Sequence, residues 1–248
     1  MTKVSEDEEN TEYNFGIYVN KIKVLEDTDF KYIKELCEND DNWQVSYDKR
    51  TTKVWTKTTS KSHLHMIKAK AIFADVTAST AYDVLLDPQY RSNWDKYHIS
   101  AVDIGMINPN NDVCYYAVGG MPPLRVRDFV LQRSWLDIGQ EKYICSHSVC
   151  HEKYPPSKGY IRGTVFLTAY YLRDLGKDGC EITYINHTDP KGKVPLWLIN
   201  RLAKVIGPKF IKRVHKACLK YENWKQNNDP NWKPWIYPEQ RVLYNFSC

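Results

Sequence analysis

Asp189-Pro190-Lys191-Gly192-Lys193-Val194-Pro195-Leu196-Trp197-Leu198-Ile199-Asn200 is the stretch on which the fold is decided. Its first four residues have turn chemistry and end a run, Glu181 to His187, of strand composition. Pro195 suits a first helical turn. Apolar residues then recur at Leu196, Ile199, Leu202, Ala203, Ile206, Phe210, Val214 and Ala217, which keeps one face of a long helix apolar. The other face carries Arg201, Lys204, Lys209, Lys212, Arg213, Lys216 and Lys220, with no acidic residue before Glu222. Two readings fit this pattern. One is a helix packed on a core with a solvated basic face. The other is a helix that covers something greasy at an anionic interface.

Working outward, the 248 residues suffice for one large core. No apolar run approaches the roughly 20 residues that span a bilayer. The opening Met-Thr-Lys-Val-Ser-Glu-Asp-Glu-Glu is acidic and lacks an apolar core, so it does not read as a leader. Cytoplasmic residence is the expectation. The seven cysteines are scattered, which favours reduced thiols. Cys145, His147, Cys150 and His151 cluster in sequence. Strand alternation, however, puts Cys145 and His147 on one face and Cys150 on the other, so no metal is expected. The net charge of +5 is modest, and what matters is its concentration on the C-terminal helix, where it would attract phosphates.

Upstream, residues 1–25 read as a polar lead-in, 26–226 as the folded domain and 227–248 as a Pro- and aromatic-rich tail. Asp27-Thr28-Asp29-Phe30 offers an N-cap and a short helix to about Cys37. Strands are predicted over 43–47, 53–58 and 64–73. A helix capped by Thr77 stops at Asp87-Pro88, and further strands follow over 99–104, 113–118, 126–135, 143–149, 161–172 and 181–187. Strand runs with segregated helices argue α+β with an antiparallel sheet of about nine strands. A sheet that size curls. Gripping one long helix, it leaves a space of the kind that holds ligands.

The 18 Tyr and 8 Trp suit a cavity lined by rings with polar handles. In Tyr90-Arg91-Ser92-Asn93-Trp94-Asp95, the Arg91 and Asp95 side chains lie one helical turn apart. Such a pair is a structural salt bridge or, if buried, an anchor whose guanidinium fork takes two phosphate oxygens. Gly119-Gly120-Met121-Pro122-Pro123-Leu124-Arg125 reads as a loop with an apolar tip, a passive connector or a lid. No nucleophile elbow, phosphate-cradling glycine loop or HExxH motif is present.

Several segments, in order along the chain, resemble the StAR-related lipid transfer (START) domain family, in particular its phosphatidylcholine transfer branch. They are Tyr90-Arg91-x-x-Trp94-Asp95, Pro122-Pro123-Leu124-x-x-Arg127-Asp128, His151-x-x-Tyr154-Pro155-Pro156, Gly159-Tyr160-Ile161-Arg162, the Asp189 to Asn200 stretch, and Ala217-Cys218-Leu219-Lys220-Tyr221-x-x-Trp224-Lys225. The resemblance implies a helix-grip fold, a curved antiparallel sheet around the long C-terminal helix with one lipid in an internal tunnel. It implies a carrier of phosphatidylcholine and phosphatidylethanolamine rather than an enzyme. It places the lipid phosphate on Arg91, supported by Asp95, and the headgroup amine among Tyr116, Phe129 and Phe166, where cation–π attraction acts. A tyrosine that supports the phosphate in some relatives falls on Leu85. A carrier that shields acyl chains must dock and open at a membrane, so a gate is expected at Met121, Pro122 and Leu124 with the helix, where Gly207-Pro208 is a hinge or a static kink, and Lys209, Lys212, Arg213 and Lys216 are expected to dock on an anionic membrane surface. A monomer without cofactor or nucleic-acid partner is expected, transiently membrane-associated. A lipid-sensing module, or a carrier of a sterol or ceramide, is the alternative.

Overall fold

The computed structural model describes residues 19–49, 51–59, 62–119, 125–194, 198, 205 and 207–241, with backbone only at 62–63. In chain order it comprises α1 (Asp27–Glu38), β1 (Gln44–Lys49), β2 (Thr52–Thr59), β3 (Ser62–Phe73), α2 (Ala78–Leu86), α3 (Arg91–Trp94), β4 (His98–Asn108), β5 (Asn111–Val118), β6 (Arg127–Asp137), β7 (Glu141–Ser148), β8 (Ile161–Arg162), β9 (Thr164–Asp174), β10 (Cys180–Asp189) and α4 (Gly207–Gln226). Nine strands form one antiparallel sheet in the order β1-β2-β3-β10-β9-β7-β6-β5-β4. This is the α+β antiparallel sheet that the strand runs predicted, in the helix-grip arrangement that the resemblance implied.

Alternation along β9 shows how the sheet is used. Tyr170 and Leu172 share a core with α2 and α4, while Leu167, Ala169 and Tyr171 share another with α1. The sheet is therefore buried on both faces, which explains why β9 reads as an almost unbroken apolar run. On the inner face Ala69 and Ala71 of β3 are small enough for α4 to approach closely, and Ile211, Val214, Ala217 and Cys218 fill that contact. Full burial of each large aliphatic side chain there contributes about 1.5–3 kcal/mol. On the outer face Lys68 is fully buried and caps the end of α1. Its Nζ donates to Asn39 O at 2.7 Å, pairs with Asp40 Oδ1 at 2.6 Å, and lies 4.6 Å from the Trp43 ring centroid. A cation is stabilised at a helix C-terminus, which is why this core position tolerates lysine.

Local details go beyond the sequence reading. The N-cap of α1 is Glu26, one residue earlier, because Asp29 Oδ2 accepts the Glu26 amide at 2.9 Å and lets Asp27 join the helix. The predicted 161–172 strand breaks at Gly163. There a Cβ would come within 2.3 Å of the Phe129 ring, and the two residues before the break pair parallel to β6 as β8. Residues 19–25 are not a loose lead-in. Buried Gln132 needs partners on the outer face, and the Lys23 backbone gives it both, its amide donating to Oε1 at 3.0 Å and its carbonyl accepting from Nε2 at 2.5 Å. The tail from Asn227 to Arg241 packs on α2: Trp235 Nε1 donates to Asp83 Oδ1 at 2.7 Å and Lys233 pairs with Asp83 at 2.7 Å.

The predicted long helix is observed from Gly207 onward. Leu198 is helical and buried, and Val205 lies in a π-type turn just before Gly207-Pro208. The remainder of 195–206 lies outside the described residues, as do Met121, Pro122 and Leu124. Among the described residues no helix is long and apolar enough to cross a membrane.

Candidate lipid site

The polar centre of the inner face is built by three elements. Pro88 ends α2 and forces a turn, after which α3 carries Arg91 and Asp95 one turn apart. Arg91 Nε lies 3.3 Å from Asp95 Oδ2, and the same oxygen accepts a 2.5 Å hydrogen bond from the Tyr116 hydroxyl on β5. The Arg91 guanidinium lies over the Trp94 ring at 4.6 Å and the Tyr116 ring at 5.5 Å. A side chain held by a carboxylate and two ring faces is fixed in orientation before any ligand arrives.

The electrostatics describe an enclosed polar site. Desolvation opposes the Arg91 charge, but Tyr116, Tyr170 and Asp95 outweigh it and keep the guanidinium firmly cationic. Desolvation also pushes the Tyr116 hydroxyl up to about 12, with the Asp95 carboxylate adding to the rise, so it remains a donor at any physiological pH. Yet 23% of the Arg91 side chain stays accessible. Strong desolvation with free surface is the combination expected of a group facing an interior space, not bulk water.

Two tyrosines that the sequence did not single out complete this centre. Tyr170 and Tyr184 are cross-strand partners on β9 and β10, stacked at 5.0 Å. Burial raises the hydroxyl pKa of both, and both interact with Arg91. Phe210 of α4 covers them, 4.7 Å from Tyr184, and reaches Trp94 at 6.2 Å. The signal was present in the alternation, since Tyr170 and Leu172 face inward while Tyr171 faces out.

Of the three expected cage rings, Tyr116 and Phe129 are directly opposed across β5 and β6 and so share a face. Phe166 sits at the irregularity between Val165↔Thr188 and Leu167↔His187, 4.7 Å from the His187 ring, in the cluster that holds α1. Leu85 is buried in the inner core beside α4.

The far half of α4 is anchored. Asp87, the C-cap of α2, is buried and accepts from Tyr221 at 2.8 Å and Lys225 at 3.0 Å, while Tyr90 donates to Ala217 O at 3.0 Å. On the outer side of α4, Lys209, Lys212 and Lys216 are exposed. Arg213 is not equivalent to them: it is half-buried over the Tyr97 ring at 5.1 Å.

The START domain family model matches residues 23–225. START domain-containing protein 10 of mouse is 40% identical over 223 residues, covering 90% of this chain and 77% of that protein. Mouse phosphatidylcholine transfer protein is 27% identical over 184 residues, covering 73% and 85%. The crystal structure of human STARD10 superposes with a TM-score of 0.85 at 39% identity over 90% of this chain and 91% of that one. Human StAR-related lipid transfer protein 5, at 16% identity over 78% of this chain and 94% of that one, shares the fold with a TM-score of 0.72. With its helix-grip sheet and a family match that spans most of its length, this chain belongs to the START domain family.

Proposed function

We propose that this protein binds one phospholipid between the inner sheet face and α4 and exchanges it between membranes. The observation that carries the reading is the Arg91–Asp95–Tyr116 centre, a preformed, desolvated cation with free surface on the inner face. A phosphodiester is the natural counterion for such a fork. Tyr116, Phe129, Tyr170 and Tyr184 offer ring faces to a headgroup ammonium, which suits choline and ethanolamine. The relatives named for phosphatidylcholine transfer support the same lipid class.

Exchange requires the membrane. Releasing two acyl chains into water costs about 0.8 kcal/mol per methylene, so spontaneous escape is negligible. Lys209, Lys212 and Lys216 supply attraction of about 1 kcal/mol each near an anionic surface. Arg213 is tied to Tyr97 and contributes less. The apolar loop with Met121, Pro122 and Leu124, together with the entry to α4, is the gate. The groups gathered at the centre hold and orient and include no nucleophile with its base, so the reading is a carrier and not an enzyme. Transfer of labelled phosphatidylcholine between vesicles tests it. Tight binding without transfer would favour the lipid-sensing alternative.

A further inference from the structure

Arg127, the first residue of β6, is buried at 4% exposure, and among the described residues no carboxylate pairs with it. Among the described residues, every hydrogen bond its guanidinium makes goes to a backbone carbonyl. Nε donates to Pro190 O at 3.1 Å, Nη2 to Lys191 O at 3.2 Å, and Nη1 to Arg125 O. One side chain thus ties the entry to β6 to the turn that leaves β10 toward α4. Burial and the nearby Arg125 both work against its charge. A buried cation without a counterion is retained only where its donors do something an apolar residue cannot.

The turn it holds is not relaxed. Lys191 has φ +52° and Gly192 φ +68°, so two successive residues are left-handed, the first with a Cβ to accommodate. A Cβ on Gly192 would in addition sit 3.1 Å from Ile161 Cδ1. Strained conformations of this kind persist only when their surroundings impose them. The carbonyls that Arg127 grips belong to Lys191 itself and to the residue before it. The neighbouring pair has the same design on another loop: Arg162, paired with Asp128 at 3.0 Å, donates to the carbonyls of Tyr154 and Pro155.

We propose that Arg127 is a positioning residue for lipid exchange, a latch that holds the strained β10 exit turn against the start of β6 so that the two segments open together or not at all. It touches no ligand. Its effect is to set the barrier to opening at the end of the sheet from which the chain runs into the covering helix. The link to exchange rests on the carrier reading above, whereas the coupling of the two segments does not.

Amide hydrogen exchange of the full chain tests the latch, with phosphatidylcholine transfer between vesicles measured in parallel. Arg127→Met keeps most of the buried stem and removes the donors. Exchange should then accelerate together at Val126–Arg127 and at Lys191–Val194, by roughly tenfold or more for the loss of several charged hydrogen bonds. Transfer should become faster, and the thermal transition should remain cooperative. Arg127→Lys, which keeps the charge but loses the fork, should fall between, and it carries the test if the methionine variant fails to fold. Arg162→Met should leave the Lys191–Val194 amides at their original rate. Acceleration in one segment alone, in neither, or in both with transfer unchanged overturns the latch. If the unsubstituted protein transfers no lipid, the carrier reading fails, and the exchange data alone decide the coupling.

Discussion

Arg91 and Asp95 meet through one edge of each side chain, Nε against Oδ2 at 3.3 Å, while the hydroxyl of Tyr116 shares that same oxygen at 2.5 Å. The arrangement fixes the guanidinium from one side and uses a single carboxylate oxygen to do it. Arg91→Ala is expected to reduce phospholipid transfer at least tenfold in a vesicle assay, with the circular dichroism spectrum unchanged. Arg91→Lys is expected to recover little, because an ammonium lacks the planar fork. Equal transfer by the alanine variant would remove the phosphate role.

Asp87 is the clearest stability determinant outside that centre. Replacing it with Ala strands buried Lys225 and the Tyr221 hydroxyl. Breaking a buried pair in this way costs about 3–5 kcal/mol. Urea denaturation should show that loss, and the double change Asp87→Asn with Lys225→Met should recover a large part of it.

Much of this was legible in the chain. The Asp-Pro at 87–88 announced the end of α2, the strand runs announced the sheet, and the Asp189 turn announced the covering helix. That Arg91 and Asp95 pair was legible from spacing, because i,i+4 partners need no tertiary knowledge, whereas a ligand role for them came only with the family resemblance. The rest depended on contacts distant in sequence. Tyr170 joins Arg91 across the grip, Arg127 reaches Pro190 and Lys191, and Asp83 receives Trp235 from the tail. No local pattern encodes those meetings. The surroundings of Phe166 were not legible for a local reason: it sits at an irregular β9–β10 register, where alternation no longer fixes the face a residue shows.

Gly163 permits β8 and β9 to lie against the Phe129 ring. In Gly163→Ala the new Cβ, 2.3 Å from Phe129 Cε1, must displace that ring. Overpacking of this kind costs about 1–3 kcal/mol. Differential scanning calorimetry should show the loss, and binding of a choline headgroup should weaken with it if Phe129 belongs to the cage.

Acid should destabilise the fold before the carboxylates titrate. Burial lowers the pKa of His187 to about 4 and lowers that of His147. Both bind protons in the unfolded chain near pH 6.5 but resist them when folded. Their contribution is complete above that pH and is lost as pH falls from 6.5 toward 4. The His187 share is roughly 3 kcal/mol. Denaturation midpoints measured between pH 7 and pH 4.5 should fall, and His187→Asn should flatten the slope.

Charge reversal of Lys209, Lys212 and Lys216 to Glu should slow transfer several-fold on anionic vesicles and little on neutral ones. Reversal of Arg213 should lower the melting temperature as well, because it gives up its seat on Tyr97.

Arg91 is the proposed seat of the phosphate of a bound lipid. Native mass spectrometry of the purified protein, with lipid extraction and identification, tests it most directly. One two-chain phospholipid per polypeptide is expected, absent or much reduced in Arg91→Ala. Bound lipid without a phosphate, or a phospholipid retained equally by Arg91→Ala, would contradict it.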